Sequence, residues 1–488
     1  MTKKEEAPYM SARIMFVNPP IVGAQHEWEQ HLGSKLPALG LCALAAYTRR
    51  EGFDTALLDA YNLGLSPEST MKKVLEFSPR YVGITATTAT IFLAAKFAEL
   101  IKEQCPQIIT VIGGSHVSAM PMETMQEFRA FDIAVVGEGE QAIVDILRLV
   151  EPFADLSNIK GVIYRGGDDS LKRTEKRSYL EDLDRLPFPA WDLLTDFPGL
   201  YRPSLTNYKK LPVASLVTSR GCPYKCTFCD RSVFGNRWRS FSATYVVDLI
   251  KDLKAKYGIR EISFYDDTFT VNKKRLHEMC EQFIKNNLNL SWSCLGRVDL
   301  ADTETLKLMK KAGCWLISYG IESATPEILS IYKKDISLSQ IDKAVRLTKE
   351  AGILTRGFFI IGGPLETENT ILQIKDLIHK IPLDDLHISF FTPIPGSEMY
   401  ENADKYGRFN KEWSSMDVYE INFVPNDLNE NLLLQYRSDL YRSFYLRPAR
   451  LLRYLKLLLN PERASEIISR GFTFLRLISK DKKKNAKS

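Results

Sequence analysis

A chain of 488 residues, 45% hydrophobic and 26% charged, has the make-up of an ordinary globular protein of several domains. Its formal net charge of +5 is small and gathers near the C-terminus, which argues against a nucleic-acid-binding surface. No run of about 18 apolar residues offers a spanning helix. The start lacks an apolar signal region, and eight cysteines without one predict a reducing, cytoplasmic setting and not a disulfide framework.

Residues 10–150 read as strand then helix, repeated. Short apolar runs at 13–18, 55–59, 81–86, 108–112 and 133–136 alternate with helical stretches at 39–51, 67–77, 91–103, 121–127 and 140–150. This alternation predicts an α/β domain with a parallel, doubly wound, Rossmann-like (flavodoxin-like) sheet. Ligands of such sheets bind beyond the carboxyl ends of the strands, at the topological switch point. The unusual residues lie at those ends: Asn18-Pro19-Pro20, Thr85-Ala86-Thr87-Thr88, Gly113-Gly114-Ser115-His116 and Gly137-Glu138-Gly139-Glu140. Small and hydroxyl-bearing residues there let a large, flat, polar-edged cofactor approach the backbone.

Residues 151–211 read as a connector. A short strand is expected at 160–165, a hairpin turn at Gly166-Gly167-Asp168-Asp169, and an extended strap at 186–192, with Phe188 and Trp191 as packing anchors. Residues 212–400 alternate again, with strands expected at 213–218, 261–265, 291–295, 316–320, 355–361 and 385–391 and helices between them. Six strands separated by helices predict a partial (β/α)6 TIM-type barrel, whose chemistry collects at the C-terminal ends of its strands. Residues 401–488 read as a helical C-terminal region. There Leu451, Leu452, Leu455, Leu458 and Leu459 share a helical face, with Arg450, Arg453 and Lys456 off it, and a Lys-rich stretch follows at 480–484. A basic amphipathic helix with such a tail suggests peripheral contact with the inner face of a membrane; the plainer alternative is a helix packed on the catalytic domain.

After the first barrel strand comes Cys222-Pro223-Tyr224-Lys225-Cys226-Thr227-Phe228-Cys229, three cysteines at CxxxCxxC spacing. Structural zinc takes four ligands, usually in CxxC-type pairs, and neither a partner pair nor a nearby His is present. Cys280, Cys294 and Cys314 stand singly on apolar patterns and read as core thiols. A [4Fe–4S] cluster normally takes four Cys, so three leave one iron open to bind a further ligand. No Ser/His/Asp triad, HExxH or P-loop is evident, and Gly362-Gly363-Pro364 lacks the Lys of a phosphate loop.

The stretch RGCPYKCTFCD resembles the cluster loop of the radical S-adenosylmethionine (SAM) superfamily. The resemblance implies that Cys222, Cys226 and Cys229 hold a [4Fe–4S] cluster whose open iron chelates SAM. One electron then splits SAM into methionine and a 5′-deoxyadenosyl radical, and an electron donor of the flavodoxin or ferredoxin kind is implied. Further segments match in order. Asp266-Asp267 resembles the FxDDxF variant of the cobalamin-linked group, which implies that a carboxylate there accepts hydrogen bonds from the SAM methionyl amine, with a helix N-cap as the alternative for Asp266. Arg297 would face the SAM carboxylate, unless it is ion-paired. Glu322, in a GIES pattern, would contact the SAM ribose or amine. Phe228, Arg356, Gly362 and Gly363 would complete the SAM site, and Thr392-Pro393-Ile394-Pro395-Gly396-Ser397 resembles the family's TPxPGT segment.

The first domain resembles the cobalamin-binding domain that precedes many radical SAM domains. By analogy Thr85, Thr87, Gly113, Gly114, Ser115 and Glu138 would line the cofactor pocket, and His116 could approach the cobalt. The DxHxxG motif that supplies a cobalt ligand in some such domains is missing, and His31 has the wrong spacing. A structural domain without cobalamin is the alternative. Together these features predict a cobalamin-dependent radical SAM enzyme that methylates an unactivated carbon of a small-molecule or lipid substrate. One SAM would give the radical and a second would methylate cob(I)alamin. The alternatives are a radical cyclisation or ring contraction on the same scaffold, and a non-catalytic cobalamin-binding protein.

Overall fold

The computed structural model describes residues 12–20, 34–149, 156–448 and 450. Two compact units emerge: Pro37–Glu181 and Arg185–Phe197 with the N-terminal strand, and Pro198 onward with residues 34–36 and Asp182–Asp184. His31, the stretch from Leu451 and the Lys-rich end lie outside the described residues. Among the described residues no helix is long and apolar enough to cross a membrane.

The first unit is built on seven strands: β1 (Ile14–Asn18), β2 (Thr55–Asp59), β3 (Tyr81–Thr85), β4 (Ile109–Gly113), β5 (Ile133–Val135), β6 (Val162–Arg165) and β7 (Leu171–Arg173). Their order is β2-β1-β3-β4-β5-β6-β7. The first five pair in parallel and the last two antiparallel. Strand order therefore reverses between β1 and β3, the switch point of a flavodoxin-like sheet. β1, β3 and β4 are buried almost end to end, as strands covered by helices on both faces must be. The strand expected in the connector joins this sheet as β6. The strap also packs here: Trp191 is 2% exposed, stacks on Phe197 at 5.0 Å, and is preceded by Ala190, whose N–H donates to Cys42 O at 3.0 Å.

The second unit contains β8 (Val213–Leu216), β9 (Ser219–Arg220), β10 (Arg239–Ser240), β11 (Glu261–Phe264), β12 (Ser291–Gly296), β13 (Cys314–Glu322), β14 (Leu354–Ile361) and β15 (Asp385–Phe390). Its main sheet runs β8-β11-β12-β13-β14-β15, all neighbours parallel and in chain order, and does not close. This is the partial barrel that the alternation of strands and helices predicts. The helices between strands open on side-chain caps: Ser242, Asn272, Asp302, Ser337 and Thr367 each accept an N–H from the first turn. Each cap contributes about 1 kcal/mol. Along β13 and β14 one face packs on helices and is fully buried, as at Ile317, Tyr319, Phe359 and Ile361. The other face stays half-buried at Gly320, Phe358 and Ile360.

The C-terminal region is less helical than its sequence suggests, because β16 (Gly407–Phe409) and β17 (Phe423–Pro425) form an antiparallel ribbon within it. The helix Glu430–Tyr445 follows and seals the free edge of β15. Tyr441 Oη accepts the Ile388 N–H at 2.9 Å and donates to Ile388 O at 3.3 Å. Tyr445 Oη meets the same groups of Leu386, at 3.4 and 3.0 Å, but its shortest bond donates to Asp385 Oδ1 at 2.5 Å, and Phe390 N–H donates to Val418 O at 2.8 Å. Tyr441→Phe leaves one amide and one carbonyl of β15 unsatisfied, so a loss of about 1–3 kcal/mol is expected. Denaturant titration checks this, and unchanged stability in the Tyr441→Phe/Tyr445→Phe double variant would show that the hydroxyls do not hold the edge.

Candidate active site

The short pairing of β9 with β10 closes a loop that carries Cys222, Cys226 and Cys229. Gly221 opens the loop at φ +80°, where an added Cβ would lie 2.4 Å from Arg237 O. Asp266 braces the approach. One oxygen accepts the Thr218 N–H at 3.0 Å, Thr218 Oγ1 at 2.9 Å and Ser219 Oγ at 2.5 Å. Neither role expected of Asp266 holds: it is fully buried, out of reach of a ligand, and Asn272 caps the next helix. Its other oxygen has no hydrogen-bond partner among the described residues, and burial raises its pKa against the pull of Arg275 and the hydroxyls. Asp267, by contrast, is exposed beside the Gly221 amide.

Cys222 is half-buried with Sγ 3.4 Å from Thr268 Oγ1. Cys226 is buried and Cys229 exposed. Between them Thr227 stitches the loop to the chain after β13: its N–H donates to Tyr332 O at 3.0 Å and its hydroxyl to Ile331 O at 2.9 Å. Phe228 meets Tyr332 edge-on at 5.1 Å. Among the described residues no three His, Cys, Asp or Glu side chains converge as they would around a single metal ion. Three thiols on one braced loop, with no carboxylate or imidazole in the set, form a soft donor set that fits an iron–sulfur cluster.

Charged side chains crowd the loop. Arg297 is 5% exposed and ion-paired, the alternative considered for it, with Asp299 at 2.9 Å. Its guanidinium lies 3.6 Å from the centre of the Tyr224 ring and donates to Lys334 O at 2.8 Å. Glu322 has φ +67°, at an irregularity in the pairing of β13 with β14. Its carboxylate meets Lys334 Nζ at 2.7 Å, both side chains being 9% exposed. Burial alone would lower the Lys334 pKa, but Glu322 and Cys226 outweigh it and keep the ammonium charged. Burial lifts the Cys226 thiol, with Lys334 and Arg297 pulling it down. Lys334 carries no motif signal; it is one lysine in a polar run that burial makes important.

Gly362 and Gly363 sit where β14 ends. A Cβ on Gly363 would fall 1.9 Å from Tyr332 Oη, so only glycine fits. Both backbone N–H groups donate to the buried Glu366 carboxylate, at 3.2 Å from Gly363, and are not open to a ligand as the resemblance implies. Glu366 escaped sequence reading; a Glu three residues after the glycine pair is its only sign. Arg356 is a clear departure. It lies near the start of β14 and pairs with Asp385 at 2.6 Å, six residues before Gly362 and so about 20 Å along the strand from the end that matters. It ties the floor of the barrel instead of holding SAM.

In the first unit the strand ends form a shelf of small, polar residues. Thr85, Gly113, Ser115 and Glu138 are half-buried and Thr87 is exposed. Gly114 is needed for packing: at φ +114° its Cβ would lie 2.4 Å from Ala86 O. This shelf, which runs from β3 beside the switch point across β4 to β5, suits a cofactor with a polar rim. Glu138 accepts the Leu180 N–H at 2.9 Å. His116 does not offer itself to a cobalt. It is fully buried, its Nδ1 lies 3.2 Å from Thr88 Oγ1, and burial pushes its pKa down to about 4.

The family model described as Radical SAM superfamily matches residues 216–378, and that of the B12 binding domain matches residues 30–147. An uncharacterized methyltransferase of Pyrococcus horikoshii is 32% identical over 89% of this chain and 93% of its own. The anaerobic magnesium-protoporphyrin IX monomethyl ester cyclase of Rubrivivax gelatinosus is 29% identical over 90% and 78%. The fold is also that of the radical S-adenosylmethionine methyltransferase TsrM from Kitasatospora setae, solved with cobalamin and a [4Fe-4S] cluster bound: the TM-score is 0.70, at 19% identity over 90% of each chain. The chain belongs to the radical SAM enzymes that carry a B12-binding domain.

Glu366 yields a pH test. Burial holds its folded pKa at about 8, well above the ordinary carboxyl value of 4.5. Between those values the unfolded chain binds fewer protons than the folded one, so stability is lost as pH rises through the window. Glu366→Gln keeps an acceptor for the two glycine amides and cannot ionise. Its melting temperature is expected to match the parent near pH 5 and exceed it near pH 8.5, as thermal melts at the two pH values would reveal. Parallel pH dependence of the two proteins would contradict the assignment.

Proposed function

We propose that this enzyme is a cobalamin-dependent C-methyltransferase that cleaves SAM reductively and acts on an apolar substrate. The observation that carries the reading is the thiol loop, braced at the carboxyl end of β8 and bordered by Arg297, Glu322 and Lys334. In this reading Cys222, Cys226 and Cys229 hold the cluster, Asp267 and Glu322 accept hydrogen bonds from SAM, and the shelf of Thr85, Thr87, Gly113, Ser115 and Glu138 seats cobalamin. The bound cofactors supply radical generation and a transferable methyl group. The protein's own residues orient them and keep water away.

The barrel face not covered by helices supports an apolar substrate. Leu295, Phe358 and Ile360 are half-buried there, with His387 and Ser389 beside them in register. His387 packs edge-on to Phe358 at 5.2 Å and to Tyr419 at 5.8 Å. Burial, with Arg356 adding repulsion, pushes its pKa down to about 4, so at neutral pH the ring can donate one hydrogen bond and accept another. Such a surface suits a largely apolar molecule with one hydrogen-bonding group. Each turnover would break one C–H bond and form one C–CH3 bond. It would consume two SAM, release methionine, 5′-deoxyadenosine and S-adenosylhomocysteine, and take two electrons from a flavodoxin- or ferredoxin-like donor.

Protein purified without oxygen, with its cluster rebuilt, is expected to retain cobalamin and to form 5′-deoxyadenosine under a low-potential reductant. Cys222→Ala, Cys226→Ala and Cys229→Ala should each lower that rate about 100-fold or more. SAM with a deuterated methyl group, supplied with host extract, should yield a product carrying the label. Retained cobalamin and 5′-deoxyadenosine without a labelled product would favour cyclisation or ring contraction, and failure to retain cobalamin would overturn methyl transfer.

A further inference from the structure

Lys334 is the buried cation nearest in character to a built feature of this site. Its ammonium is held on Glu322 Oε1 at 2.7 Å and lies 5.9 Å from the centre of the Phe228 ring, inside the cysteine loop. Its carbonyl takes the Arg297 guanidinium at 2.8 Å. Ile331 and Tyr332, just upstream in this segment, bear on the same loop: Ile331 O accepts the Thr227 hydroxyl, and Tyr332 accepts the Thr227 N–H and packs on Phe228. The fold also makes room for the pair. A Cβ on Gly320 would lie 2.4 Å from Glu322 Oε1 and 2.8 Å from Lys334 Nζ. Glycine at 320 thus leaves the volume that the ion pair fills, while Glu322 adopts φ +67°, a region that L-residues seldom enter.

Such an arrangement is costly for mere stability. Two charges taken out of water regain their solvation only when the geometry is fixed and the remaining valences are used. Each carboxylate here has its cation: Arg297 with Asp299, Lys334 with Glu322. A group held by three thiolates adds negative charge to this balanced set, and Lys334 is the cation placed to answer it, its ammonium 5.9 Å from the ring of Phe228, which stands between Cys226 and Cys229.

We propose that Lys334 is a positioning residue for SAM cleavage: it fixes the Glu322 carboxylate toward the donor groups of SAM and supplies the countercharge to the three-thiolate loop. The proposal rests on reading residues 222–229 as the cluster loop. Glu322 is then held as an oriented acceptor instead of a mobile or protonated acid. The positive charge beside Cys226 favours the more negative, reduced state of the group the loop holds.

The test uses the full-length, cluster-loaded protein. Lys334→Met should load iron as the parent does, because no cysteine contact is removed. It should bind SAM about tenfold or more weaker in equilibrium titration, and the fraction of cluster reduced by dithionite at a fixed potential, read by EPR without SAM, should fall. Lys334→Arg should restore the reduced fraction more than the SAM affinity, since its planar fork keeps the charge but not the shape. Glu322→Gln should weaken SAM binding while leaving the reduced fraction at least as high as in the parent, and combining it with Lys334→Met should add little further loss of affinity. Gly320→Ala disturbs the same pair from the opposite side and should weaken SAM binding likewise, which keeps the idea testable if Lys334→Met fails to fold. Lys334→Met and Gly320→Ala proteins that load iron, bind SAM and reduce like the parent would overturn the role of Lys334 alone. A parent protein that takes up no iron would overturn the cluster reading and this proposal together.

Discussion

Parallel pairing governs the second unit. Six strands that run in one direction and lie in chain order bring all their carboxyl ends to the same edge. There the ladder stops and backbone groups need other partners. The polar residues after the strands meet this need in different ways. Asp266 takes the first hydroxyls and amide of the approach to the cysteine loop, and Glu366 takes the two glycine amides after β14. Each carboxylate is buried to do so, and burial raises the pKa of both. The loop of three cysteines can be irregular because its surroundings are so heavily tied.

The charged groups around that loop form a second layer of constraint. Arg297 directly follows β12 and Lys334 lies in the turn between the two helices after β13, yet the guanidinium of one rests on the carbonyl of the other. Removing either would leave a carboxylate, Asp299 or Glu322, without its cation in a poorly hydrated place. Breaking such a pair costs far more than forming it yields. This coupling explains why the end of β13 needs both the glycine at 320 and the unusual backbone of Glu322.

Much of this was legible in the sequence, and the failures share a cause. The strands of the second unit's main sheet are apolar runs of four to nine residues between capped helices, so periodicity alone located them. The cysteine loop was readable because its chemistry is local. Asp266, Arg356 and His116 were assigned to ligands because they stand in or near suggestive motifs, but a motif does not say which way a side chain points or at which end of a strand it lies. Arg356 lies near the wrong end, Asp266 turns inward to brace the chain, and His116 is enclosed beside Thr88. Lys334 and Glu366 fail in the opposite sense. They look like ordinary surface charges in sequence, and only tertiary burial gives them work.

The tyrosines on the last helix hold a geometric lesson. Tyr441 and Tyr445 are one helical turn apart, about 6 Å along the axis. The backbone groups that they bind, on Ile388 and Leu386, are two residues apart in β15, about 6.6 Å. The two repeats nearly coincide, and they run in opposite directions along the chain. The helix therefore acts as a ruler laid against the outermost strand. A slip of one residue would set each hydroxyl against a residue whose amide and carbonyl point inward to β14, so the final strand of an open barrel has its alignment set from both sides.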